Sequence, residues 1–290
     1  MPRLVTLTTD FGLQDGYVAA MKGVLLSRAP GVQLVDVTHA VAPQDVGEAA
    51  YVLLQAAPYF PDGTVHLAVV DPGVGTDRRA VAARFAGPSG AHYFVGPDNG
   101  LLSLLLAGSA YAPDALQAVH VLDAADRWRT AAPSRTFHGR DIFAAAAAHL
   151  AAGGDLAALG TALDPAELHP MRWAQPTADE QGVRGWVVHV DRFGNCTTNI
   201  ARETLDEHRD GRTVRCYVGA AAMDGVRQTY ADVDTGEPLL LFGSDGFLEI
   251  GVNMGNAAEL LSIRKGSAVD VVFTEGRAAA RLSAPHNQRA

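Results

Sequence analysis

Two hydrophobic rhythms divide the chain. In the first half, short apolar and β-branched runs alternate with longer stretches of helical spacing. Residues 4–7 read as a strand that ends at Thr8, Thr9 and Asp10. Residues 16–27 follow with Val18, Met21, Val24 and Leu25 on one helical face. Pro30-Gly31 breaks that pattern. Residues 32–37 read as the next strand, and 45–57 as a helix with Asp45 as its N-cap. The run 65–70 has the character of a strand buried on both faces. Residues 81–85 and 92–95 pair as a hairpin around Gly87 to Gly90, and 99–106 and 139–152 read as helices. This alternation predicts an α/β layer with a largely parallel sheet.

Past a polar, breaker-rich stretch at 170–185 (Pro170, Pro176, Gly182) the rhythm changes. Short strands are expected at 185–191, 213–218, 238–242, 246–252 and 268–273, separated by Gly-Asn, Asp-Gly and Thr-Gly steps, as in a small sandwich or barrel. The expected organisation is an N-terminal α/β domain over residues 1–175 and a smaller C-terminal β-barrel-like domain over 183–275. Residues 276–290 read as a frayed tail. No internal repeat is visible.

Composition narrows the class. The chain has 290 residues, 48% of them hydrophobic and 19% charged, which suits a folded globular protein. A net charge of −9 gives no basic footprint for nucleic acid. Cys196 and Cys216 are too few for a disulfide framework or a Cys-rich zinc site, and read as small buried hydrophobes. No 18-residue apolar run is present, and the first residues lack the pattern of a secretory signal. A cytoplasmic protein with no membrane partner is expected. The scattered histidines show no metal-ligand spacing.

Familiar nucleotide, phosphate, zinc-protease and serine-hydrolase motifs are absent. What stands out is a set of polar residues at the carboxyl ends of predicted strands, where open α/β sheets bind ligands. Asp10 follows the first strand. Asp71 opens Asp71-Pro72-Gly73-Val74-Gly75, and Arg78 lies seven residues on. Phe137-His138-Gly139-Arg140-Asp141 precedes a helix. Singly, each has an ordinary explanation: a cap, a solvated Arg78–Arg79 pair, a structural histidine. In the second half, Asp191, Phe193 and Asn195 offer a carboxylate, a ring and an amide within five residues, a combination that suits a purine-like base. Phe193 alone would equally serve core packing.

Seven segments in order carry a resemblance: Thr8 to Gly12, Asp36 to His39, Val70 to Gly75, Gly96 to Gly100, Phe137 to Asp141, Asp191 to Asn195 and Asn253 to Ala257. Together they resemble the S-adenosyl-L-methionine (SAM) hydroxide adenosyltransferases, or SAM hydrolases, relatives of the fluorinating and chlorinating SAM enzymes. The resemblance implies a homotrimer whose ligand lies between the N-terminal domain of one subunit and the C-terminal domain of the next. It implies a catalytic set of Asp71, Arg78 and His138 that activates water. By the same likeness Asp10 would hold the ribose, Asp191 the methionine amino group and Ser244 its carboxylate. Phe193 and Asn195 would contact the adenine, and Gly139, Val252 and Met254 complete the expected substrate contacts. SAM would be the substrate, adenosine a product, and no cofactor or metal is implied.

Departures separate the branches. The halogenating relatives have a tyrosine at the position of Asp71 and replace His138. The fluorinating branch carries a long insertion near Val81. An aromatic that covers the ligand there corresponds to Gln44, and an arginine on the base to Val252. A carboxylate at position 71 would also repel a halide at close range. The expected reaction is therefore displacement at C5′ of SAM by water. A halogenase of the chlorinase or fluorinase type and a non-catalytic adenosine or SAM binding module are the alternatives.

Overall fold

A computed structural model describes residues 4–106, 111–112, 114–171 and 175–275, so the expected tail at 276–290 lies outside the described residues. The chain forms two compact units, residues 1–173 and 174–290.

The first unit is built on a six-stranded sheet. Its strands are β1 (Leu4–Thr9), β2 (Gln33–Thr38), β3 (Val65–Val69), β4 (Ala80–Gly87), β5 (Gly90–Pro97) and β6 (Leu116–Val121), in the order β2-β1-β3-β5-β4-β6. β2, β1, β3 and β5 pair in parallel, while β4 runs antiparallel to both β5 and β6. The expected hairpin is β4–β5, with Gly87 opposite Gly90. β6 is an element the hydrophobic pattern did not announce, because only Val119 in it is fully buried.

Both faces of this sheet are covered. Val65, Leu67 and Val69 of β3 join a core with α1 (Tyr17–Arg28) and α4 (Ala144–Ala151). Ala68 of β3 and the adjoining Val70 face α2 (Val46–Ala56) and α3 (Leu101–Leu106). Alternation along a strand sends successive side chains to opposite faces, so an apolar β3 is what a doubly covered sheet requires. Asp45 caps α2 by accepting the Glu48 amide at 2.9 Å. The chain passes from β1 to β2 on one side and returns to β3 on the other. The strand order therefore reverses between β1 and β3, which opens a crevice at their carboxyl ends.

One polar chain crosses the second core. Ser89 Oγ donates to the Phe60 carbonyl at 2.5 Å, so it must accept from His92 Nε2 at 2.8 Å. His92 Nδ1 then accepts from His66 Nε2, and His66 Nδ1 accepts from the Thr6 hydroxyl, each at 2.9 Å. Both histidines are thereby fixed as neutral Nε2–H tautomers.

The second unit is a nine-stranded, nearly closed sheet. It contains β7 (Thr177–Ala178), β8 (Gly182–Val190), β9 (Cys196–Ala201), β10 (Thr213–Val218), β11 (Ala221–Asp224), β12 (Val226–Arg227), β13 (Pro238–Phe242), β14 (Phe247–Val252) and β15 (Ala268–Thr274). The path runs β11-β10-β15-β8-β9-β14-β13-β12, with β7 on β8, and β11 packs against β13. Its interior is lined by alternate residues, among them Val214, Cys216 and Val218 of β10 and Val269, Val271 and Phe273 of β15. Cys196 and Cys216 are fully buried there as free thiols. Two helices, α5 (Arg202–Arg209) and α6 (Ala257–Leu260), complete the unit.

Burial pushes His66 down to about 3 from 6.5, and lowers His92 in the same direction. The unfolded chain binds these protons at a higher pH than the folded one. The stabilisation is therefore complete above about 6.5 and is lost as pH falls from there towards about 3. The urea midpoint is expected to drop between pH 7 and pH 5, with a shallower slope in His66→Gln, which has lost one of the groups responsible and keeps His92. An unchanged slope would disprove the linkage.

Candidate functional site

The crevice at the strand-order reversal is a cavity of about 390 Å³. Asp10 reaches it from the end of β1 and Asp71 from the end of β3; Phe137, His138 and Gly139 come from the segment that leads into α4. Arg78 is the bridge. Its Nε donates to Asp71 Oδ1 at 2.8 Å, and its Nη2 donates both to Asp71 Oδ2 and, at 3.0 Å, to His138 Nδ1. The arginine is 11% exposed and the Asp71 carboxylate 6%, and the guanidinium lies 5.2 Å over the Phe143 ring. Arg78 is therefore no solvated surface charge. It stands behind the cavity, while Asp71 and His138 line it. Arg79 has a separate carboxylate, Asp98.

The bond direction fixes the chemistry of His138. A guanidinium only donates, so Nδ1 must accept and the neutral ring carries its proton on Nε2. Burial lowers the His138 pKa, and the Arg78 charge lowers it further. A neutral Nε2–H donor and an arginine-held carboxylate thus share one cavity.

Two frames hold these groups. Asp141, 1% exposed, accepts from Arg140, Arg129 and the Ser134 amide. The Arg140 bonds above all hold its carboxyl well below the usual range. This pins the segment before α4, which opens with a π-helical turn at Gly139–Phe143; such turns are frequent at functional sites. The other frame is a backbone touch. Gly75 has φ +77°, and a Cβ there would stand 2.3 Å from the Arg135 carbonyl. Only glycine lets the Asp71 loop lie this close to the His138 segment. On the other side of the cavity, Asp10 Oδ2 accepts the Gln44 amide at 2.8 Å, and Gln44 holds φ +69° to deliver it. Thr9 Oγ1 and His39 Nδ1 are hydrogen-bonded at 2.8 Å, His39 Nε2 lies 3.0 Å from Asp36 Oδ1, and Lys22 Nζ donates to Asp36 Oδ2 at 2.6 Å, which makes a chain of polar contacts. That chain accounts for the Asp36-to-His39 segment. Phe11, Tyr17 and Phe137 close an aromatic wall, with centroids 5.3 to 6.0 Å apart. Tyr17 went unmarked in the sequence because it opens α1 ahead of the inward-facing positions.

The second unit has its own cavity of about 620 Å³, to which Asp191, Phe193, Asn195, Val252 and Met254 contribute. Phe193 is 75% exposed and so is not a core residue. Asp191 organises its own loop: Oδ1 accepts the Phe193 and Asn195 amides, and Oδ2 the Asn195 Nδ2. Ser244 is exposed in the β13–β14 turn and is not among the residues lining this cavity. Tyr230 and Glu249 are cavity residues that sequence reasoning did not single out; Tyr230 donates to Glu249 Oε1. Their meeting is a long-range contact with no local signature. Among the described residues no group of three or more His, Cys, Asp or Glu is arranged to hold a metal ion.

A doubly wound α/β unit with a charged cavity at its switch point, followed by a nearly closed β unit with a second cavity, defines a two-unit small-molecule protein. Residues 5–160 match the family profile of the SAM hydroxide adenosyltransferase N-terminal domain, and 185–270 that of the C-terminal domain. The chain belongs to the SAM hydroxide adenosyltransferase family. It is 43% identical over 273 residues to a protein of Thermus thermophilus named (R)-S-adenosyl-L-methionine hydrolase, covering 92% of this chain and 98% of that one. It is 30% identical over 297 residues to a fluorinase of Actinoplanes sp., covering 92% and 96%. The crystal structure of an uncharacterised conserved protein from Thermotoga maritima superposes with a TM-score of 0.81 at 36% identity, covering 92% of this chain and 99% of that one.

Ring-nitrogen NMR at pH 7 is expected to show His138 as the Nε2–H tautomer, titrating below 6.5. Arg78→Met is expected to move that midpoint upward. An Nδ1–H tautomer would contradict the bond direction.

Proposed function

We propose that this chain hydrolyses (R)-S-adenosyl-L-methionine to adenosine and L-methionine, by attack of water on the ribose C5′. The observation that carries this reading is the Arg78 fork, which joins Asp71 to His138 at the edge of a small cavity. Family membership supports the substrate class.

The chemistry asks little of the leaving side, because the thioether departs neutral from a sulfonium. The demand falls on the water, whose pKa of about 15.7 makes it a poor nucleophile. In the proposed mechanism Asp71 accepts the water proton as the O–C5′ bond forms and the C5′–S bond breaks. His138 serves as a donor to the water oxygen. It is not the proton acceptor, since its basic nitrogen is turned to Arg78. The proton passes from Asp71 to solvent. Orientation of the water in line with the C5′–S bond can supply roughly 7 kcal/mol or more of the barrier. Asp10 is proposed to hold the ribose hydroxyls, with Gly139 beside it in the cavity. Asp191, Phe193, Asn195, Val252, Met254 and Ser244 are proposed to act on the rest of the substrate. The reaction is proposed to need no metal or cofactor.

A homotrimer in the cytoplasm, with sites completed by neighbouring subunits, is proposed from the family likeness. No helix among the described residues is long and apolar enough to cross a membrane. Light scattering is expected to give a mass three times the 30.4 kDa chain.

Chromatography of SAM incubated with the pure protein is expected to show adenosine and methionine in equal amounts, with or without a chelator and with no halogenated nucleoside when halide is added. Asp71→Asn is expected to lower turnover by about 10²-fold or more while adenosine still binds. Full activity in that variant would remove Asp71 as the base, and absence of adenosine with the wild type would overturn the proposed reaction.

A further inference from the structure

The cavity of the second unit contains one titratable pair that the proposed reaction does not use. Glu249 lies on β14, between Thr197 of β9 and Leu241 of β13. Its Oε1 accepts the Tyr230 hydroxyl, and its Oε2 has no partner among the described residues. Asn195 and the exposed ring of Phe193 line the same cavity. One N–H of the Asn195 amide is engaged by Asp191, which leaves Oδ1 as an acceptor and a single remaining donor. The Tyr230 proton is already spent. The side chains here are thus rich in acceptors and short of donors.

Adenine needs both. Its exocyclic amine donates, and each ring nitrogen flanking that amine accepts. We infer that Glu249 is the base-selecting residue of this site, its carboxyl edge pairing with the adenine amine and an adjacent ring nitrogen while Phe193 covers the ring. The inference rests on the proposed function, since it takes an adenosyl group as the occupant. A carboxylic acid makes both bonds, with Oε2–H donating to the ring nitrogen and a carboxyl oxygen accepting from the amine. A carboxylate makes only the second.

The surroundings shift Glu249 towards the acid. Burial raises the Glu249 pKa. The Tyr230 hydrogen bond opposes this, and the charges of Asp191 and Asp245 add to the rise. Tyr230, Asp191, Asp245 and Cys196 are the titratable groups that face it. Hypoxanthine, with a protonated ring nitrogen and a carbonyl in place of the amine, reverses both partners and would need the acid proton on Oε1, the oxygen already engaged by the Tyr230 hydroxyl.

Calorimetric titration of the whole protein with adenosine and with inosine tests this, using wild type, Glu249→Gln and Glu249→Ala. Wild type is expected to prefer adenosine by ~10-fold or more, as for a bidentate base contact. Its adenosine affinity is expected to weaken as pH rises from 5 to 9. Glu249→Gln, whose amide supplies the same donor and acceptor without titrating, is expected to keep the preference and lose the pH dependence. Glu249→Ala is expected to bring the two nucleosides within about twofold of each other. An unchanged preference in Glu249→Ala, or the same pH dependence in Glu249→Gln as in wild type, overturns the inference. A Glu249→Ala variant that binds both nucleosides normally but loses SAM would assign the carboxyl to the substrate cation instead, and also overturns it. If Glu249→Ala does not fold, the Glu249→Gln pH profile decides. A wild type that neither binds adenosine nor turns over SAM would fail the proposed function. A wild type that turns over SAM with no adenosine preference would fail the base assignment alone.

Discussion

The fork of Arg78 is the interaction on which the first cavity depends. A guanidinium presents a rigid, planar set of donors that no lysine can reproduce. Here that set is divided between a carboxylate and an imidazole that are 67 residues apart in sequence but meet over one side chain. The fork gives the buried Asp71 carboxylate a partner, and it dictates which edge of His138 can donate. Neither function requires the arginine to touch a ligand. Its own burial is tolerated because each partner satisfies it, and because the Phe143 ring supplies a favourable face.

In each unit the cavity also depends on how its loops are held. Gln44 adopts a left-handed conformation to aim its amide at Asp10, and Asp191 ties down the loop that carries Phe193 and Asn195. Asp71 and Asp191 therefore differ in kind. Asp71 is held by a charge, whereas Asp191 is held by neutral amides of its own turn. That distinction is what makes Glu249, held by a single phenol, the group of its cavity most open to further bonding.

Much of this was legible in the sequence, for identifiable reasons. Strands β1 and β3 announced themselves because both faces of their sheet are dry. The Asp45 cap and the β4–β5 hairpin follow local rules that act over a few residues. The acid, arginine and histidine of the first cavity stood out as polar residues at strand ends. Other parts were hidden by the same physics. β9 was missed because Thr197, Thr198 and Asn199 are polar yet buried. α5 was missed because only Leu205 on it turns inward. Tyr230 and Glu249 were missed because their pairing is made by sheet closure and leaves no mark in spacing. Ser244 was marked only by the family resemblance, and its place in an exposed turn depends on the length of the β13–β14 connection.

Gly75 has a mechanical consequence. Its Cα rests against the Arg135 carbonyl, so the loop after β3 and the segment before α4 are in contact through rigid backbone as well as through flexible side chains. Two stretches some sixty residues apart are thus braced against each other on one side of the crevice. The separation of acid and imidazole is therefore set twice over, by the Arg78 fork and by this backbone contact.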